Sequence, residues 1–397
     1  MSRSSPFQAV IMTSVALGAL CAGAGTAQAQ FKQTDLISDM PGLATTTDPM
    51  LKNPWGVSFA NGSPIWISQQ GTQTTPLFAV TGSTGVGNAP LFTVNVPPAG
   101  ASGPTGQVAN AMGMGFDVSK ASGGNGASAA FIFANLNGSI SAWNGTPLTQ
   151  AFTQTTVSGA SFTGLAINHT DTELFAANTA GAGGIDVFNN AFQQITEPLG
   201  AFATPTAAAG LVPFNVTDLG GNVFVTYAPS GHTAQTMATA GEGAVAEFTE
   251  SGVLEKAFTN NALASPWGVA IAPSSFGKFG GDLLVGNFSF VSGVADVINA
   301  FNPVTDALVG SIEVNPGMEN GMANTPGGLW SIVFGGSMSD GNPNTLFFTD
   351  GINGEKDGLF GSLTAVPEPS TWAMMLAGFG GLAVLAARRR RTSHAIG

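Results

Sequence analysis

The phrase Pro54-Trp55-Gly56-Val57-Ser58-Phe59 returns as Pro266-Trp267-Gly268-Val269-Ala270-Ile271, and internal recurrence of this kind limits the available folds more than any other feature of the chain. Weaker copies stand at Met112-Gly113-Met114-Gly115-Phe116, Thr163-Gly164-Leu165-Ala166-Ile167, Pro213-Phe214-Asn215-Val216 and Leu329-Trp330-Ser331-Ile332-Val333. After each comes an apolar run that ends on a polar residue, as in Ile65-Trp66-Ile67-Ser68-Gln69 and Leu283-Leu284-Val285-Gly286-Asn287. A third run with an aromatic near its end follows in most copies, and a fourth is visible in several. Short strands in fours, repeated about every 50 to 60 residues, form the blade pattern of a β-propeller. One such sheet cannot cover both of its faces, whereas radial packing covers them and leaves only short edges. No window sustains apolar spacing of three and four, so helices are expected to be minor.

The expectation is an all-β, six-bladed β-propeller. Its sixth copy lacks a fourth strand, and the unassigned stretch 31–38 can supply it, with Thr34–Ile37 as the outer strand that closes the ring. The make-up agrees: 55 Gly and 23 Pro among 397 residues, with only 9% charged, suit a turn-rich β protein and not long helices or a solvated tail.

The two ends carry addresses. Arg3, an apolar run from Ala9 to Leu20, and Ala27-Gln28-Ala29 have the order of a secretory signal peptide cut after Ala29. A lipid anchor at Cys21 is disfavoured, because Leu20 is larger than the residue such signals place there. With Cys21 removed, the mature chain has neither a disulfide nor a thiol nucleophile. At the other end stand Pro367-Glu368-Pro369, an apolar stretch over 372–387 and Arg388-Arg389-Arg390-Arg391. That stretch is slightly short of a ~30 Å hydrocarbon core, and the arginines would hold its far side in the cytoplasm. Together these parts resemble the PEP-CTERM sorting signal of Gram-negative bacteria. The resemblance implies processing by an exosortase near the Pro-Glu-Pro triplet, with a link to envelope display and exopolysaccharide. The expected layout is a leader at 1–29, a propeller at 30–364, a sorting signal at 365–391 and a tail at 392–397.

The central region also resembles an uncharacterised family of exported bacterial β-propeller proteins. The resemblance rests on Asn53-Pro54-Trp55-Gly56 with its echo Ser265-Pro266-Trp267-Gly268, on Phe276-Gly277-Lys278-Phe279 and Gly281-Asp282-Leu283-Leu284, and on Asn299-Ala300-Phe301. It implies blades of the NHL and SMP-30 kind and a surface location, and it supplies no reaction.

Without its ends the chain keeps six lysines, no arginine and 22 acidic residues, a formal charge of −16. Such a domain cannot neutralise a run of phosphates, which excludes nucleic acid as a partner. The exported region has two histidines, His169 and His232, both expected in exposed loops. It holds no Gly-x-Ser-x-Gly elbow and no His-Glu-x-x-His. Calcium is the metal it could hold, with Asp350 as candidate ligand, although residues 350–357 miss the calcium-loop spacing. If the register holds, Gln69, Asn135, Asn178, Asn287 and Asp350 end second strands on one face, with Asn53, Asn215 and Ser265 beside the starts of inner strands. They would ring the axial mouth, with Trp55, Trp267 and Trp330 beneath or beside it. The alternative is that these polar residues pin turns while the tryptophans wedge between blades. The functional expectation is a non-enzymatic binding or matrix-interaction module of the cell envelope, met during export by signal peptidase and exosortase and then by exopolysaccharide or other envelope components. The rival is a calcium-dependent hydrolase or lyase acting on a lactone or polysaccharide at the mouth.

Overall fold

Each copy of the repeated phrase opens an inner strand, and the chain then walks outward through an antiparallel meander. The computed structural model describes residues 31–98, 102–314, 326–366 and residue 379. Blade 1 runs Pro54–Ser58, Ile65–Gln69, Thr74–Phe78 and Thr93–Asn95. Blade 2 follows with Gln107–Ala109, Phe131–Ala134, Ser139–Trp143 and Phe152–Thr156. Blade 3 is Phe162–Ile167, Glu173–Asn178, Gly184–Asn189 and Gln194–Ile195. Blade 4 is Val212–Asp218, Asn222–Ala228, Ala244–Thr249 and Leu254–Thr259. Blade 5 is Pro266–Ile271, Leu283–Asn287, Val297–Phe301 and Leu308–Glu313. Blade 6 takes Leu329–Phe334, Thr345–Asp350 and Leu359–Ala365 from the end of the ring and Phe31–Ser38 from its beginning.

The closing strand pairs antiparallel with Leu359–Ala365, from Phe31 opposite Ala365 to Ser38 opposite Leu359. A clasp reinforces it. Lys52 bridges Asp39 and Asp357, the Gly358 amide donates to Asp39 Oδ1 at 2.7 Å, and Ser38 Oγ donates to Gly358 O at 2.7 Å.

Why the phrase recurs is visible at the axis. In five blades the inner strand carries a bulge at the repeated position: Pro54/Val57, Phe162/Gly164, Pro213/Asn215, Pro266/Val269 and Leu329/Ile332. There the backbones of neighbouring blades almost touch. A Cβ on Gly56 would lie 2.7 Å from Thr105 O, one on Gly106 2.3 Å from Leu165 N, and one on Gly268 2.5 Å from Trp330 O. Only glycine allows such an approach. Hydrogen bonds near the axis join each blade to the next. Gly56 N donates to Thr105 O, Thr105 Oγ1 to Phe162 O, Thr163 Oγ1 to Phe214 O and Asn215 Nδ2 to Trp267 O, at 3.1, 2.8, 2.7 and 2.9 Å. Gly328 N to Phe288 O at 3.0 Å and Thr349 Oγ1 to Trp55 O at 2.6 Å complete the circle.

One copy is corrected. The inner strand of blade 2 is Gln107–Ala109, and Met112-Gly113-Met114-Gly115-Phe116 is the loop beyond it, with Gly113 and Gly115 at φ of 63° and 64°. The working copy, Thr105-Gly106-Gln107-Val108, is disguised by a polar residue where the other copies have an apolar one. Gln107 is nevertheless buried, and its Nε2 donates to Gly56 O at 3.0 Å and Trp66 O at 2.6 Å, tying blades 1 and 2 together.

Helices are minor, as expected. Among the described residues no helix is long and apolar enough to cross a membrane. The expected leader and its cleavage residues Ala27 and Ala29 lie outside the described residues, as do Pro367, Glu368, Pro369 and Arg388, Arg389, Arg390 and Arg391.

Candidate functional site

The aromatic residues of the repeated phrase meet on the axis. Trp55 and Trp330 stack with ring centroids 3.5 Å apart, Trp267 meets both edge-on at 6.3 and 5.7 Å, and Phe288 lies 4.1 Å from Trp330. This buried cluster lies between two axial mouths. The lower mouth, where inner strands end, is a cavity of about 410 Å³ walled by apolar side chains such as Val108, Leu165, Ile332 and Phe334 together with Gln107, Asn215 and Asp218. The upper mouth, where they begin, is a cavity of about 660 Å³ with Asn53, Gln70, His232, Gln235 and Glu355 in its wall and Trp55 at its base.

Strands from distant parts of the chain build the upper wall. His232 begins the short helix His232–Thr236 between the second and third strands of blade 4. Glu355 comes from the turn after the second strand of blade 6, where Asn353, Gly354 and Glu355 stand in succession at φ of 56°, 67° and 64°. Left-handed backbone costs an ordinary L-residue about 1–2 kcal/mol, and strain of this sort collects at functional sites. It brings Glu355 Oε2 to 2.8 Å from His232 Nε2, while Asn53 Nδ2 donates to Glu355 Oε1 and to Gln70 Oε1, both at 3.1 Å. Asn53 is itself left-handed at φ 43°, and its Oδ1 accepts from Trp330 Nε1 at 3.0 Å, which ties the wall to the aromatic plug. Trp55 lines this cavity but is only 3% exposed, and its buried indole N–H has no hydrogen-bond partner.

The carboxylate of Glu355 raises the His232 pKa above the ordinary 6.5, and burial opposes it. Because the folded value lies above the unfolded one, the pair's contribution to stability is complete below pH 6.5 and is lost as pH rises through the folded midpoint. A ¹H–¹³C NMR titration of the His232 ring is expected to show a midpoint above 6.5 that Glu355→Gln returns to about that value. An identical midpoint in both proteins would dissolve the pair. His232 is therefore a mouth residue and not merely an exposed loop residue, although its ring stays 59% exposed. His169 is the exposed loop residue expected, paired with Glu250 at 2.7 Å on an outer turn.

The five strand-end residues are placed differently from the expected ring: none lines the upper mouth. Gln69 Oε1 accepts from Thr72 and Thr74. Asn135 Nδ2 donates to Ser139 O and Ser141 Oγ. Asn178 Oδ1 accepts the amides of Ser161 and Ala180. Asn287 accepts from Ala264 N and donates to Ala262 O and Val294 O. Gln69 and Asn135 thus pin their own turns, while Asn178 and Asn287 tie theirs to the loop that enters the inner strand of the same blade. Asp350 is fully buried. Of the flanking residues, Asn53 reaches the upper mouth, while Asn215 borders the lower one. Nothing in the residue pattern singles out Glu355 beyond its place among the acidic and Asn-Gly residues of 350–357. Among the described residues no three His, Cys, Asp or Glu side chains gather as a metal-holding group.

Comparison with known proteins agrees at two levels. Residues 365–391 match the PEP-CTERM protein-sorting motif, so the chain carries the signal of an exported protein of the cell envelope or exterior that an exosortase processes. The chain is 25% identical over 351 residues to an uncharacterized protein of Acanthamoeba polyphaga mimivirus, an alignment covering 83% of this chain and 78% of that one. A crystal structure of a structural-genomics protein of unknown function from Bacteroides thetaiotaomicron VPI-5482 superposes with a TM-score of 0.50 at 11% identity, covering 85% of this chain and 77% of that one. The last likeness is one of fold.

Proposed function

We propose that the protein is an envelope-displayed binding module whose upper mouth takes a neutral, hydroxyl-rich polymer such as an exopolysaccharide segment. The side-chain amides of Asn53, Gln70 and Gln235, gathered in a cavity wall that also holds Trp55, carry this reading. Amides offer donors and acceptors to hydroxyl groups without demanding a charge, and the cavity of about 660 Å³ matches a ligand of a few sugar rings. A formal charge of −16 in the exported region disfavours anionic polymers by long-range repulsion. In this reading residues 1–29 are a leader cut after Ala29, and the stretch 372–387 holds the chain in the inner membrane until exosortase acts beside Pro367-Glu368-Pro369.

Titration with neutral oligosaccharides, followed by tryptophan fluorescence, is the test. Binding is expected to weaken tenfold or more in Asn53→Ala and Glu355→Gln. A flat response across a neutral glycan array would end the proposal. The His232–Glu355 pair supports a second reading, a hydrolase or lyase at the same mouth with the imidazole as proton carrier and calcium as an aid. Product release from a lactone or polysaccharide that His232→Ala abolishes would favour it over simple binding.

A further inference from the structure

We propose that the protein also binds one calcium-like divalent cation inside the ring, between Asp296 and Asp350 at the junction of blades 5 and 6. Asp350 ends the second strand of blade 6, is 0% exposed, and neither of its carboxylate oxygens has a hydrogen-bond partner. Asp296 lies just before the third strand of blade 5, is 4% exposed, and accepts one bond, from Gly327 N at 2.8 Å. The two acids flank one dipeptide. A Cβ on Gly328, the residue after Gly327, would fall 3.1 Å from Asp350 Oδ1 and 2.6 Å from Gly351 O. The glycine thus leaves room beside one carboxylate and one backbone carbonyl.

Two buried carboxylates demand a counter-charge. No arginine occurs between residues 31 and 366, and the lysine ion pairs of the described residues go to Asp39, Asp357, Glu247 and Asp306. Burial pushes Asp296 up to about 7 and Asp350 well above the usual carboxylate range, with their mutual repulsion adding to the latter. Left alone, the pair must take up protons and keep a carboxyl group without partners, which is costly in an apolar interior. A hard cation removes the repulsion and fills the orphan oxygens together. Calcium suits the donors: carboxylate and backbone oxygens, with water completing its six to eight ligands, at the weak affinities that outside-cell concentrations permit. The site is separate from the upper mouth, which neither acid lines. Trp330 is close, however, since a Cβ on Gly351 would be 3.2 Å from its Nε1.

That indole supplies the readout. In the full-length protein, terbium excited through tryptophan is expected to luminesce at a one-to-one stoichiometry and to be displaced by calcium. Calcium at a hundredfold excess over its Kd should raise the melting temperature by about 4 °C. Asp350→Asn and Asp296→Asn should abolish both responses, while Glu355→Gln at the mouth should retain them. If the wild-type protein shows neither luminescence nor a calcium-dependent melting temperature, the proposal fails and Asp350 is held as a neutral acid. If Glu355→Gln removes the response, the cation sits at the mouth and the proposal fails equally. The wild-type measurement stands even if an aspartate variant does not fold.

Discussion

Removal of residues 31–38 is expected to lower the melting temperature by about 7 °C. Seven register pairs join this strand to Leu359–Ala365, and Leu36 and Ile37 are wholly buried in it. Burying two such side chains contributes roughly 1.5–3 kcal/mol each. Their loss, with an opened blade edge and the Ser38–Gly358 bond gone, amounts to about 5 kcal/mol, and a domain of roughly 340 residues loses about 1.4 °C per kcal/mol. Calorimetry of the shortened protein checks the figure. An unchanged transition would mean that the ring is held by its inner strands alone and that the outer strand is decoration.

The second large effect belongs to Trp330. Truncation to alanine removes a fully buried indole that stacks on Trp55 and packs against Phe288, and such deletions cost about 3–5 kcal/mol. The urea midpoint should fall accordingly with the slope unchanged. Trp330→Phe keeps most of the packing and loses the bond to Asn53 Oδ1, so it should cost only about 1 kcal/mol. The milder variant separates the two roles of the indole. If it binds oligosaccharide as the wild type does, Asn53 does not depend on Trp330 for its aim.

The sixfold blade pattern and the closing strand could be read from residue order, because strand length, turn residues and the axial glycine leave periodic marks. Blade 2 shows where such reading stops. Gln107 breaks the apolar pattern of its strand, and the amide is tolerated because two neighbouring carbonyls satisfy it, a condition that only neighbouring blades create. The face on which second strands end was also legible, but the direction of each side chain there was not. Asn287 could have reached the axis; the amide of Ala264 and the carbonyls of Ala262 and Val294 hold it between two loops of its blade. His232 and Glu355, more than a hundred residues apart in the sequence, meet only because loops of blades 4 and 6, with one blade between them, both turn to the same axial mouth.

The pairing of Phe31 with Ala365 has a bearing on manufacture. Any chain delivered in order from its beginning must finish five sheets while its opening segment waits, single and adhesive, for a partner that emerges last. Interruption of delivery before Leu359 leaves that waiting segment free to join a neighbouring copy. Correct assembly on the far side of a membrane is therefore a race between arrival of the final strand and capture of the first.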